Sequence, residues 1–141
     1  MIKDKLHSNF CQKDKQLVDW YCQHKRELQI PIYSSYDIRD AGFKVSNVDA
    51  NIYPAGFNNI CPVDKENTPA ILDEYLKTYY QQKLERILLL TEEHTNNPYY
   101  WDNVHAIQTL IEQTGRQVLV GLPREITEPL QIQRASGHVR T

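Results

Sequence analysis

Apolar residues along the chain switch between helical spacing, two-residue alternation and short unbroken runs. Leu17, Val18, Tyr21 and Leu28 recur near a 3.6-residue period and Pro31 forbids continuation, which predicts an amphipathic helix over residues 14–29, with Trp20 helping to dock it. Residues 32–38 and 43–48 carry β-branched and aromatic residues in partial alternation, with Phe43 and Val45 on one side and Lys44 and Ser46 on the other, so two short strands are expected. Prolines 54, 62 and 69, Gly56 and the Asn58-Asn59 pair then argue for a long loop over residues 51–69. Thr68 before Pro69 reads as a helix start, with Ile71, Leu72, Tyr75, Leu76 and Tyr79 as the apolar face of a helix running to about Leu84.

The aliphatic run at residues 86–90 has strand length and the pattern of a strand covered on both faces. Asn97 and Pro98 open a further helix with Tyr100, Val104, Ile107 and Ile111 on one face and Gly115 as its left-handed terminator, and residues 117–121 follow as another buried strand. Strand, helix and strand at this spacing make a right-handed crossover and a parallel pair. The expected fold is therefore α/β, a mostly parallel sheet flanked by helices. Alternation around Ser136-Gly137 ends it in an incomplete β-hairpin, as if the chain broke off inside a larger protein. Residues 1–30 form an N-terminal helical segment in this reading and residues 31–141 the α/β portion, together one compact domain.

A length of 141 residues is enough to bury a core without a metal or disulfide staple. With 16 Lys and Arg against 18 Asp and Glu, the net charge of -2 supplies no general field for nucleic acid or anionic lipid, so neither partner is expected. The N-terminus is charged throughout, without the apolar centre of a signal peptide, and no aliphatic run could span a bilayer, which suggests a cytoplasmic protein. Cys11, Cys22 and Cys61 lack the paired spacing of metal or redox motifs and read as reduced thiols. Apart from His94, the histidines His7, His24, His105 and His138 show no shared spacing for a metal site, and neither a Gly-rich phosphate loop nor a serine elbow is present.

Between Pro31 and Pro62 polar and charged side chains are denser than a structural strand or loop needs. Arg39, Lys44, Asp49, Asn51, Asn58 and Asn59 stand among glycines that let the backbone turn, and such groups must be solvated, paired or kept for a ligand. A second polar stretch, residues 91–97, leaves the carboxyl end of the central strand, where open parallel sheets bind ligands. There Glu92 and His94 could orient an amino acid, carboxylates taking its ammonium group and amides its carboxylate, unless the stretch is simply a capped loop.

The ordered run Tyr33-x-Ser35-x-Asp37-x-Arg39-x-Ala41-Gly42-Phe43-Lys44, continued by Val48-Asp49-x-Asn51-x-x-Pro54-x-Gly56-Phe57-Asn58-Asn59, resembles the N-terminal region of the proteobacterial glutamate-cysteine ligases of ATP-grasp-like architecture. The resemblance resumes at Glu92-x-His94-Thr95, at Asn103, over residues 115–122 and at Ala135-Ser136-Gly137. It implies a pre-ATP-grasp-like α/β domain and an enzyme that joins the γ-carboxylate of glutamate to the amino group of cysteine through an acyl phosphate, the first step of glutathione synthesis. ATP and magnesium are implied for the full-length family member, bound by a downstream ATP-grasp segment or polypeptide and not by this chain alone, which by itself should not catalyse the ligation. Arg39 and Lys44 would hold carboxylate or phosphate oxygens and Asp49 an ammonium group, with Asn51, Asn58 and Asn59 lining the cleft and Glu92 and His94 assisting from the opposite loop. Asn96 stands where relatives are expected to carry arginine. The rival expectation is a non-catalytic small-molecule-binding or regulatory α/β domain acting with a separate polypeptide; a redox role for Cys61 is a third.

Overall fold

Residues 2–27 contain neither proline nor glycine, and in the computed structural model they form one α-helix, α1 (Ile2–Glu27), of 26 residues. The structure describes residues 2–80, 84–92, 96–127, 130–137 and 139–140, the last two by backbone alone. The helix begins well before the expected residue 14, because Lys3, Lys5, Leu6, Gln12 and Lys13 extend a helix readily and Asp4 in the first turn and His24, Lys25 and Arg26 in the last complement its dipole. Pairs four residues apart tie successive turns, Gln12 Nε2 donating to Ser8 Oγ at 3.3 Å and His24 Nδ1 lying 2.7 Å from the Trp20 carbonyl. No residue of α1 is buried.

Two strands follow, β1 (Ser35–Asp40) and β2 (Val45–Asn51), paired antiparallel. The connection is too short for a crossover, so antiparallel pairing is the only direction open to it. Gly42 takes φ 82°, the left-handed value that two-residue hairpin loops place at their first position. Asp40 Oδ1 accepts the Gly42 N–H at 2.7 Å and Ala41 N–H donates to the Lys44 carbonyl at 2.9 Å. Together with α1 this hairpin makes up one compact unit, residues 1–54; residues 55–141 form the second. The division falls after the hairpin.

The second unit opens with a single 3₁₀ turn, Phe57–Asn59, and then α2 (Pro62–Tyr79). The helix starts seven residues ahead of Pro69, which lies inside it. Cys61 serves as the N-cap, its Sγ accepting the Asp64 N–H at 3.4 Å, and Pro62 takes the first helical position, where a missing N–H costs nothing. Thr68, expected as the cap, instead turns its hydroxyl back to the Asp64 carbonyl.

Strands β3 (Arg86–Leu90) and β4 (Gln117–Gly121) pair in parallel, Arg86 opposite Gln117 through Leu90 opposite Gly121, joined by α3 (Pro98–Glu112). Asn97 caps α3 by accepting the Tyr99 N–H at 3.0 Å, and Gly115, at φ 83°, turns the chain after it. Val104, Ile107 and Leu110 of α3 meet Leu76 of α2 and Val118 of β4 in the core. A short antiparallel pair, β5 (Ile132–Gln133) with β6 (Val139–Arg140), turns through Ser136 and Gly137.

Two expectations change. Of the three described pairs only β3 with β4 is parallel, so the α/β class holds but a mostly parallel sheet does not. The aliphatic strand is not covered on both faces either: Leu88 is 63% and Leu90 59% exposed, whereas the alternate residues Ile87 and Leu89 are half-buried.

Asp73 joins α2 to the turn before β4. Arg116 Nη1, on a side chain only 10% exposed, lies 2.8 Å from Asp73 Oδ1, and Lys77 Nζ lies 2.6 Å from Oδ2. The hydrogen bond from Lys77 and then that from Arg116 hold the Asp73 carboxyl below its ordinary value of 3.8. A depressed carboxylate stabilises the fold fully above its unfolded value, and that contribution is lost as pH falls through the folded value. Stability of wild type, followed by urea unfolding from about pH 5 to pH 2, is therefore expected to fall more steeply than that of Asp73→Asn; equal slopes would remove this group from the acid response.

Candidate functional site

Strand alternation sorts the hairpin's charged residues. Arg39 pairs with Ser46, and Lys44 stands two residues before Ser46, so Arg39 and Lys44 share one face with Asp37. Between the pairs Ser35–Asn51 and Asp37–Val48, β1 advances two residues and β2 three, a bulge on β2. Asp49 sits in it at φ 48°, a left-handed conformation that few residues other than glycine, asparagine and aspartate adopt. The Asn51 side chain donates to the Asp49 carbonyl at 3.1 Å and stabilises the bulge, so part of its capacity is structural. Arg39, Lys44 and the Asp49 carboxylate are exposed and form no ion pair or hydrogen bond among the described residues. Asp40 is committed to the turn.

Asn58, Asn59 and Glu92 belong to the second unit. The 3₁₀ turn that carries the asparagines is held by its backbone: Asn59 N–H donates to the Gly56 carbonyl at 2.9 Å, Lys65 Nζ to the Asn58 carbonyl at 3.3 Å, and Phe57 N–H to Oδ1 of Asn103 at 2.8 Å. The chain leaves β3 through Thr91, whose N–H and hydroxyl both donate to the Gly121 carbonyl, at 2.9 and 3.1 Å. Glu92 N–H then donates to the Tyr100 hydroxyl at 2.8 Å. Tyr100 and Asn103 are three residues apart on α3, hence neighbours on its surface, so the Asn58-Asn59 turn and the Glu92 loop dock at adjoining positions of one helix. His94 lies outside the described residues.

Arg39, Lys44, Asp49 and Asn51 thus occupy the hairpin unit, and Asn58, Asn59 and Glu92 the crossover unit. Asn103 and Tyr100 were not among the expected site residues. The signal for Asn103 was present: an amide at a position of α3 whose neighbours along the buried face are Val104 and Ile107 must find a partner. Tyr100 reads from sequence as packing, and its hydroxyl contact comes only with the fold. A groove of about 410 Å³, lined by Trp101, Val104, Val118, Leu122 and Ile132 with Arg134 among them, includes none of the expected site residues. Among the described residues no three His, Cys, Asp or Glu side chains group so as to hold a metal ion, and no helix is long and apolar enough to cross a membrane.

By architecture this is a mixed α/β protein whose uncommitted charges and amides lie on a hairpin and on two loops at a crossover helix. It belongs to the glutamate-cysteine ligase family, GshA, whose profile matches residues 7–141. A Methylobacillus flagellatus KT protein of known crystal structure, assigned as a γ-glutamylcysteine synthetase, is similar in fold at a TM-score of 0.84 and 32% identical in sequence, the match covering 96% of this chain and 32% of that one. The chain therefore spans about a third of the length of this solved relative. No curated protein matches it. The resemblance carried by the Tyr33–Asn59 motif is thus a family relationship.

Proposed function

We propose that this chain supplies the substrate-side α/β portion of an ATP-dependent glutamate-cysteine ligase that forms γ-glutamylcysteine for glutathione synthesis in the cytoplasm. The family match over residues 7–141, with the fold likeness to a γ-glutamylcysteine synthetase, carries the reading. The chemistry of the uncommitted side chains agrees with it. Arg39 and Lys44, on one face of the hairpin, suit carboxylate oxygens, and the Asp49 carboxylate in the β2 bulge suits an ammonium group. The amides of Asn58 and Asn59 and the Glu92 carboxylate offer the same two kinds of contact in the second unit, and His94 is proposed to act with them. Glutamate and cysteine each carry both groups.

The described residues do not fit magnesium, having no cluster of acidic or imidazole ligands, and no strand-to-helix glycine loop offers itself to phosphates. In this reading ATP and magnesium are held by an ATP-grasp portion within the family length that this chain does not span, and its own residues bind and orient the amino acids. The polypeptide at full family length is expected to make γ-glutamylcysteine from glutamate, cysteine and MgATP, scored by chromatography of the product. A folded full-length protein that makes none would reject the reading and leave a binding or regulatory domain as the better account.

A further inference from the structure

We infer that Asn103 is a positioning residue for amino-acid recognition: through the Phe57 N–H it sets the turn that presents the Asn58 and Asn59 amides to a substrate α-amino-acid head group. The inference rests on the ligase reading above and adds to it a residue that touches no substrate.

Asn103 is 6% exposed on the same helix as the buried Val104 and Ile107, where an apolar side chain would pack without the cost of a desolvated amide. Its Oδ1 accepts a backbone N–H from a residue 46 positions away, the first N–H of the 3₁₀ turn. That turn has no side-chain cap of its own, since Gly56 stands at the cap position with φ 78°. Asn103 is thus its cap from a distant element. With the Asn59 N–H and the Asn58 carbonyl also bonded, the backbone of the turn is fixed at three points, while the side-chain amides of Asn58 and Asn59 have no hydrogen bond among the described residues.

A turn rigid in its backbone and free in its amides is arranged to present those amides. One helical turn earlier Tyr100 receives the Glu92 N–H, and the Glu92 carboxylate likewise has no partner among the described residues. Amides that donate to a carboxylate and a carboxylate that accepts from an ammonium group match the two charges of an α-amino acid. α3 acts as the ruler between them, so the separation of the two loops is set by a rigid element.

The test compares, in the full-length ligase, wild type, Asn103→Leu, Asn103→Asp and the double replacement of Asn58 and Asn59 by alanine, alone and combined with Asn103→Leu. The readouts are KM for glutamate, cysteine and ATP, kcat and thermal stability. Asn103→Leu is expected to raise KM for one amino acid by about 10- to 100-fold, the same one affected by the Asn58 and Asn59 replacements, with KM for ATP within about twofold. Asn103→Asp keeps an oxygen for the Phe57 N–H and is expected to stay within about threefold of wild type. Adding Asn103→Leu to the asparagine replacements should add little, because both act on one contact. Equal rises in every KM, full additivity, or no KM change in a folded Asn103→Leu protein would each overturn the inference. Absence of product from the wild type is the separate result that removes the ligase reading itself.

Discussion

Leu110→Ala is expected to destabilise the crossover unit by about 3 kcal/mol, the middle of the range for emptying a leucine site in a packed core. Leu110 is 5% exposed and shares the core with Leu76, Val104, Ile107 and Val118, a small set in which each member supports the others. Nothing flexible stands ready to fill the space, since its neighbours lie on two helices and a strand already fixed by backbone hydrogen bonds. Leu88→Ala removes the same atoms from a side chain that is 63% exposed, and is expected to cost less than about 1 kcal/mol in this chain. Urea unfolding followed by tryptophan fluorescence measures both, with Trp101 on the core helix as reporter. Equal losses at the two leucines would mean that the covered and open faces of the β3–β4 pair have been assigned wrongly.

In the proposed ligase, Arg39→Met is expected to lower kcat/KM of the full-length protein by about 100-fold or more, the effect of removing the proposed charge-assisted contact to a substrate anion. Methionine keeps the length and apolar stem of arginine, so the hairpin should form as before, and Arg39 makes no ion pair or hydrogen bond among the described residues whose loss would unfold it. Lysine at the same position restores charge but not the two-pronged donor geometry and is expected to recover activity only in part. Asp40→Asn serves as the neighbouring control. Its side-chain oxygen still accepts the Gly42 N–H, so activity close to wild type is expected there. Product formation by an Arg39→Met enzyme at the wild-type rate would remove this residue from substrate binding.

The parts of the fold read most directly from sequence are those whose signals are local. The strand-helix-strand crossover over residues 86–121 follows from two aliphatic runs, an Asn-Pro start and a glycine stop, each acting within a few residues of itself. The beginning of α2 was misread for an equally local reason. Thr68-Pro69 carries the usual signature of a helix start, but a helix already running from Pro62 tolerates Pro69. A cysteine thiol acting as the cap carries no such signature. The hairpin strands were foreseen, and their antiparallel direction was implied by the short loop at Gly42, a constraint outweighed by the parallel pattern further along.

Composition and spacing alone determined that this is an α/β chain and where its charge and amide groups are dense; the resemblance of the Tyr33–Asn59 run pointed to the family that the match over residues 7–141 shows. Tertiary structure decided which of those groups share an element. It set Arg39 beside Lys44 on one strand face, spent Asp40 on a turn, exposed Leu88 and Leu90, and joined Asn103 to Phe57. The physical reason is range. Dihedral preferences, caps and side-chain period act over a few residues, whereas burial and the partner of a buried amide depend on segments brought together only when the whole chain has closed on its core.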